Sequence, residues 1–256
     1  MMFVFKYGGH AIPEGASVDP SIEYLAGLIK SGVKVVVVHG GGPQINRELE
    51  IHGIKSEMVG GFRKTTPEVF EVVQRTLSGE VLRNLTNQFI SQGINAVGIS
   101  AGDGKLIRAR NEKPELGLVG VVSAVNPDLL NILLAQGITP VISPIAVNSE
   151  GVGLNMNADL IAGAIGGALS ADVVLFSTDV AGIYREWPDL TSLIEVINVE
   201  ELTSIASDFE GGMIPKAQAA ISAIKSGAKS VRIFDGRKVA NVIAAFEGKA
   251  GTLVLA

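Results

Sequence analysis

A three-layer α/β/α sandwich with a mainly parallel central sheet is the fold class this sequence predicts, and three observations predict it. Short, largely apolar runs recur at 35–38, 96–99, 140–142, 173–176 and 231–234, each bounded by turn residues. Longer stretches at 21–30, 67–91, 127–136, 158–169 and 216–225 place apolar residues three and four positions apart and end near Gly. The two kinds of segment alternate. Runs that are apolar at consecutive positions suit strands buried on both faces, and a helix between two such strands dictates a right-handed crossover and parallel pairing. A more polar stretch at 106–121, with Arg108, Arg110, Glu112, Lys113 and Glu115, breaks the pattern and predicts a hairpin inserted at one edge. With no internal repeat and no low-complexity linker, residues 1–256 are expected to form a single domain.

Composition sets the outer limits. A chain of 256 residues, 47% hydrophobic and 18% charged, can bury a large core. Its apolar runs are interrupted well before the roughly 20 residues that span a bilayer, so no membrane partner is expected. The start, Met1-Met2-Phe3-Val4-Phe5-Lys6, lacks a basic leader and a small-residue cleavage site; it reads as a first strand, and a cytoplasmic location follows as an expectation. The absence of cysteine removes disulfide frameworks, thiolate nucleophiles and thiolate metal sites. A net charge of −5 offers no electrostatic footprint for nucleic acid.

In sheets of this class ligands bind at the carboxyl ends of the strands, and five segments there carry candidate chemistry. Lys6-Tyr7-Gly8-Gly9-His10 pairs a lysine with two glycines whose backbone N–H groups can approach a phosphate closely, although a simple turn would also use Gly-Gly. Val38-His39-Gly40-Gly41-Gly42-Pro43 puts three glycines between a strand and a helix pattern, more backbone freedom than a plain turn requires; His39 itself suits a packed position better than a base. Neither cluster has the spacing of a P-loop or of a dinucleotide-binding loop. In Gly60-Gly61-Phe62-Arg63-Lys64-Thr65-Thr66-Pro67, a loop leading into a helix, Arg63 can make a two-pronged pair with a carboxylate. Leu154-Asn155-Met156-Asn157-Ala158-Asp159 opens an Ala/Gly-rich helix; Asn157 suits the N-cap, while Asn155 can orient a ligand amide and Asp159 can hold lysine side chains in place. The last segment is double: Ser177-Thr178-Asp179-Val180-Ala181-Gly182-Ile183-Tyr184 after a buried strand, and Gly211-Gly212-Met213-Ile214-Pro215-Lys216 at a helix start. Each is also compatible with an ordinary turn or cap.

Taken in order, Lys-x-Gly-Gly, His-Gly-Gly-Gly, Gly-x-Arg-x-Thr, Asn-x-Asn-Ala-Asp, Thr-Asp-Val-x-Gly and Gly-Gly-Met-x-Pro-Lys resemble the amino acid kinase family, on the side of its acetylglutamate kinases, from residue 3 nearly to the C-terminus. The resemblance implies a carbamate kinase-like fold whose lobe up to about residue 170 binds an acylated amino acid and whose lobe over about 171–256 binds nucleotide. It implies ATP-dependent phosphorylation of the γ-carboxylate of N-acetyl-L-glutamate in arginine biosynthesis, with ATP and Mg2+ as cofactors. Lys6, Gly8 and Gly9 then flank the transferred phosphoryl group, Gly41, Gly42, Arg63 and Asn155 hold the acyl-amino acid, and Lys216 neutralises phosphates. Asp159 positions the two lysines; Thr178, Asp179, Gly182, Tyr184, Gly211, Gly212 and Met213 contact the nucleotide. Such a reaction needs no general base, because the attacking carboxylate is already ionised at neutral pH. Magnesium is expected on the phosphates, since no acidic cluster offers a protein cage.

His10 and Lys64 depart from the family pattern beside the expected acyl pocket. A kinase for carrier-linked aminoadipate would call for a basic docking face, which a net acidic chain with only Arg63-Lys64 does not offer. A non-catalytic sensor would have no use for Lys6 and Lys216, which stabilise a transition state. Arginine-inhibited relatives are hexamers with a helix before the first strand and a Gly-rich C-terminal segment. Here the first strand begins almost at Met1, and 246–252 keeps part of that segment with Lys249 adding positive charge, so a homodimer without arginine feedback is expected.

Overall fold

The computed structural model describes residues 1–9, 18–209 and 213–256; His10, Gly211 and Gly212 lie outside the described residues. From the N-terminus, β1 (Met2–Tyr7), α1 (Pro20–Lys30), β2 (Lys34–His39) and α2 (Gly42–Ile51) lead to a short hairpin of β3 (Met58–Val59) and β4 (Phe62–Arg63). A long helical stretch follows: α3 (Pro67–Gln74), a π-helical turn at Arg75–Val81, and α4 (Leu82–Ser91), before β5 (Ala96–Ser100). The middle holds β6 (Ile107–Arg110), β7 (Val119–Val125), α5 (Asp128–Ala135), β8 (Thr139–Ser143), β9 (Ile145–Val147) and β10 (Gly153–Met156). The remainder holds α6 (Ala158–Ala168), β11 (Val173–Thr178), β12 (Val196–Asn198), α7 (Val199–Ile205), α8 (Met213–Lys225), β13 (Ser230–Asp235), α9 (Val239–Phe246) and β14 (Thr252–Leu255).

Eight strands form the central sheet in the order β12-β14-β13-β11-β1-β2-β8-β5. Pairing is parallel except where β14 runs antiparallel to β13. The period-2 alternation of strand side chains divides the apolar runs between two cores. On one face Val4, Val36, Val38, Ile142, Val174 and Phe176 pack with Ile161 and Ile165 of α6 and Ala219 and Ala223 of α8. On the other, Phe3, Phe5, Val35, Val37, Val141 and Leu175 pack with Ile22 and Leu25 of α1, Leu85 and Phe89 of α4, and Val242 of α9. That is the three-layer sandwich the sequence predicts. Each fully buried Leu, Ile or Phe contributes about 1.5–3 kcal/mol of apolar burial.

The glycines of α6 explain how close the layers come. A Cβ at Gly163 would meet Ala219 O at 2.8 Å, so α6 and α8 pack backbone to backbone and fix the start of α6 over the sheet. Two expectations need correction. The hairpin expected over 106–121 is the antiparallel pair β6–β7, but β7 runs on to Val125, and β9 and β10 close it into a four-stranded barrel, β10-β7-β6-β9. Residues 60–67 are also more than a loop: Gly60 and Gly61, at φ 56° and 82°, form the two-residue turn of the β3–β4 hairpin, where both central residues need positive φ. Among the described residues, no helix is long and apolar enough to cross a membrane.

Candidate active site

The carboxyl ends of β1, β2 and β11 open on a cavity of about 340 Å³ lined by eleven of the predicted residues: Lys6, Gly8, Gly9, Gly41, Gly42, Arg63, Asn155, Asp159, Thr178, Asp179 and Lys216. Its floor is two glycine loops in contact. A Cβ on Gly9 would meet Gly41 N at 2.9 Å and Gly42 N at 3.0 Å, and one on Gly8 would meet Ser177 O at 2.8 Å. A Cβ on Gly41 would meet Leu77 Cδ2 at 2.6 Å, and Leu77 stands on the π-helical turn. Any side chain at these three positions would push backbone or core aside. Gly41 caps α2 without a side-chain hydrogen bond, so the first turn of that helix faces the cavity with its dipole uncompensated by a cap.

Charge is placed by the helix opposite. Asn157 caps α6 through its side chain, accepting from Asp159 N at 2.8 Å and Leu160 N at 3.2 Å. The carboxylate of Asp159 is therefore released from capping, and its Oδ1 lies 2.9 Å from Lys6 Nζ. This contact is an ion pair without the alignment of a hydrogen bond. Both side chains are largely buried, at 12% and 7% exposure, which holds the ammonium at the end of β1. Lys6 Nζ also lies 3.4 Å from Ser177 O, a long contact. Lys216, in the first turn of α8, lines the same cavity.

Arg63 is half-buried, and burial lowers its pKa without approaching neutrality. It donates to Asn46 Oδ1 at 2.6 Å and Ser56 Oγ at 3.3 Å, and among the described residues no carboxylate forms an ion pair with it. Asn155 Nδ2 donates to Thr65 Oγ1 at 3.1 Å, and that hydroxyl donates to Arg63 O at 2.7 Å. Through the buried Thr65, one hydrogen-bonded chain ties the Asn155 amide to the backbone of Arg63, while Asn46 and Ser56 hold the guanidinium. Lys64, by contrast, pairs loosely with Glu57 at 3.9 Å and does not line the cavity. His39 is fully buried; its Nδ1–H donates to Gly40 O at 2.8 Å, and burial pushes its pKa down to about 4. It is a neutral packed residue.

A second cavity, of about 480 Å³, holds Tyr184 and Met213 and shares Asp179 and Lys216 with the first. Gly182 lines neither: a side chain there would collide with Thr252, so this glycine seats β14. The hydroxyl of Thr178 is also spoken for, lying 2.9 Å from Val180 O and 3.1 Å from Phe234 O, so Thr178 offers the cavity chiefly its backbone. Lys249, expected to repel a cationic inhibitor, is ion-paired with Glu247 at 2.7 Å, which offsets its charge.

Sequence reasoning missed Arg237, Met58 and Trp187. Arg237 lines the first cavity, held on Asp235 through Nε–Oδ1 and Nη2–Oδ2 contacts of 2.9 and 2.7 Å. It follows β13, the neighbour of β11, so inspecting that strand end would have found it. Met58, on the β3–β4 hairpin, also lines the cavity and is 61% exposed. The resulting arrangement can bind a carboxylate beside an anionic phosphoryl group and neutralise charge that grows between them.

Comparison with known proteins gives the chain its family. The acetylglutamate kinase of Clostridium acetobutylicum is 41% identical over 244 residues, 92% of this chain and 83% of its own length. That of Archaeoglobus fulgidus is 40% identical over 253 residues, 94% and 87% respectively. Among solved structures, smu.665 from Streptococcus mutans UA159 matches with a TM-score of 0.84 at 25% identity, covering 99% of this chain and 98% of that one. The N-acetylglutamate synthase of Neisseria gonorrhoeae, solved with coenzyme A and N-acetyl-glutamate, shares the fold: its TM-score is 0.85 at 20% identity, over all of this chain and 59% of that one. A model of the amino acid kinase family matches residues 1–235, and with these relatives it follows that the chain belongs to the amino acid kinase family.

Proposed function

We infer that this protein is an ATP-dependent kinase that phosphorylates the side-chain carboxylate of N-acetyl-L-glutamate, a step of arginine biosynthesis and with it a cytoplasmic one. The observation that carries the reading is the first cavity. Two lysines, two abutting glycine loops and Arg63, which has no carboxylate partner among the described residues, surround one space, and the relatives at about 40% identity are acetylglutamate kinases. A γ-carboxylate oxygen attacks the terminal phosphorus of ATP; the bond from that phosphorus to the β,γ-bridging oxygen breaks, ADP leaves, and an acyl phosphate remains. No proton moves, because a carboxylate with a pKa near 4.3 is ionised at pH 7.

The chain's work is therefore positioning and charge. Arg63 and Asn155 hold the acyl-amino acid, its reactive carboxylate lying over Gly41 and Gly42. Lys6, fixed by Asp159, meets the transferring group from one side and Lys216 from the other, with Gly8 and Gly9 offering backbone N–H groups. Asp179, Tyr184 and Met213 contact the nucleotide, so the stretch up to about residue 170 serves the acyl-amino acid and the remainder the nucleotide. Magnesium would be carried on the nucleotide phosphates and would neutralise part of their charge there, with Asp179 lining the cavity nearby. The test is ADP release, in a coupled assay, with N-acetylglutamate, free glutamate and N-acetylaminoadipate offered separately. Preference for the first is expected; turnover with another alone, or with none, overturns the reading.

A further inference from the structure

We propose that Trp187 is the outer wall of the nucleobase subsite, stacking its indole on the base of the bound nucleotide. The proposal rests on the nucleotide reading of the second cavity and adds a residue that nothing in the motif pattern assigns.

Trp187 is the chain's one tryptophan, and it is 66% exposed. An indole left in water forfeits one of the largest apolar gains a side chain can make, so its position calls for a reason. It lines the second cavity, beside Tyr184, Phe209 and Met213. Its ring sits edge-on to Tyr184, with centroids 5.2 Å apart and planes at 62°, while Tyr184 itself is buried at 8% exposure. The indole is thus braced on one side and open elsewhere.

The segment that carries it is fixed. Arg185 N donates to Ser192 O at 2.9 Å, Glu186 N to Ser192 Oγ at 3.0 Å, and Asp189 N to Glu186 O at 2.8 Å. Arg185 is tied to Glu201 of α7 at 2.7 Å. A ring held this way loses little freedom when it meets a flat ligand. Continuity supplies the ligand's identity: the cavity shares Asp179 and Lys216 with the first, where our reading puts the phosphates, so a molecule filling both carries phosphates at one end and a flat, apolar-faced group at the other. A nucleotide has that form, and aromatic side chains bind bases by stacking whatever the base edge.

The single tryptophan makes the test direct. ADP is titrated into the full-length protein while tryptophan emission and heat are followed in parallel, and inorganic tripolyphosphate is titrated as a probe of the phosphate end alone. Saturable quenching by ADP is expected, at the same midpoint as the heat, with no quenching by tripolyphosphate. Trp187→Ala should weaken ADP binding about tenfold or more while leaving tripolyphosphate affinity and the half-saturation for N-acetylglutamate unchanged; Trp187→Phe should recover much of the loss. A merely structural role would instead lower the melting temperature and disturb both substrates. If ADP binds by heat but leaves the emission unchanged and Trp187→Ala binds like the parent, the stacking proposal is wrong and the nucleotide reading stands. If ADP gives no binding heat at all, the nucleotide reading fails first and the proposal with it.

Discussion

Removing an ammonium from Lys6 or Lys216 takes positive charge from the place where, in our reading, the transferring phosphoryl group gathers negative charge. Lys6→Ala and Lys216→Ala are each expected to lower turnover by at least about 100-fold, with a smaller effect on half-saturation, because the stabilisation acts mainly in the transition state. Near-normal turnover in either variant ends that residue's proposed role. Arg63→Ala should divide the other way, raising half-saturation for the acyl-amino acid about tenfold or more and leaving that for ATP nearly unchanged; equal effects on both would remove Arg63 from the acyl pocket. His39 gives a pH signature of folding. Its folded pKa of about 4 lies below the ordinary 6.5, so the fold favours the neutral ring. The contribution is fully present above about pH 6.5 and is lost as pH falls towards 4, where the unfolded chain has taken up its proton first, a difference of about 3 kcal/mol. Chemical denaturation at pH 7 and pH 4.5 should show the parent losing more stability than His39→Asn, and parallel losses would contradict the burial argument.

At the scale of elements, the contact between the glycine loops separates two positions that look alike in sequence. A methyl group on Gly9 strikes the backbone of Gly41 and Gly42, whereas one on Gly42 meets no heavy atom within 4 Å and only narrows the cavity. Gly9→Ala should therefore lower both melting temperature and activity. Gly42→Ala should keep its melting temperature within about 2 °C while raising half-saturation for the acyl-amino acid at least about tenfold. A Gly42→Ala enzyme with normal kinetics would take Gly42 out of the substrate site. The same loops show how much was legible beforehand. The strands β2, β5, β8, β11 and β13 were readable because Val35–Val38 and their counterparts are almost wholly apolar, the pattern of burial on two faces. The strands β9, β10, β12 and β14 were not. Their residues acquire strand character by pairing with partners far along the chain, as Val196 does with Leu253, Asn155 with Val119 and Val147 with Arg108. Most proposed site residues were legible for the first reason, since they sit where readable strands end. Gly182 was misplaced because a Thr-Asp-Val-x-Gly turn does not say which of its sides faces the ligand. Trp187 went unseen because an isolated aromatic residue in a turn has no periodicity.

For the whole molecule, the outer strand β5 poses a question that one chain leaves open. It pairs with β8 on one side, and among the described residues no strand covers its other edge, although all five of its residues are only half-buried. Open edges of this kind invite pairing with another chain unless something covers them. Helix α4 lies along the strand, because Arg83 Nη2 donates to Gly98 O at 2.9 Å. Ile90, two helical turns further on the same face, is 51% exposed. An apolar residue beside a bare strand edge suits a two-fold contact in which α4 and β5 meet their own copies, the commonest symmetry of soluble oligomers. We therefore expect a homodimer formed through this face. Light scattering of the parent at micromolar concentration should give twice the chain mass, and Ile90→Glu combined with Asn87→Glu should give the single chain mass with the melting transition still cooperative. A parent that is monomeric or hexameric, or a double variant that stays dimeric, would place the assembly elsewhere or deny it.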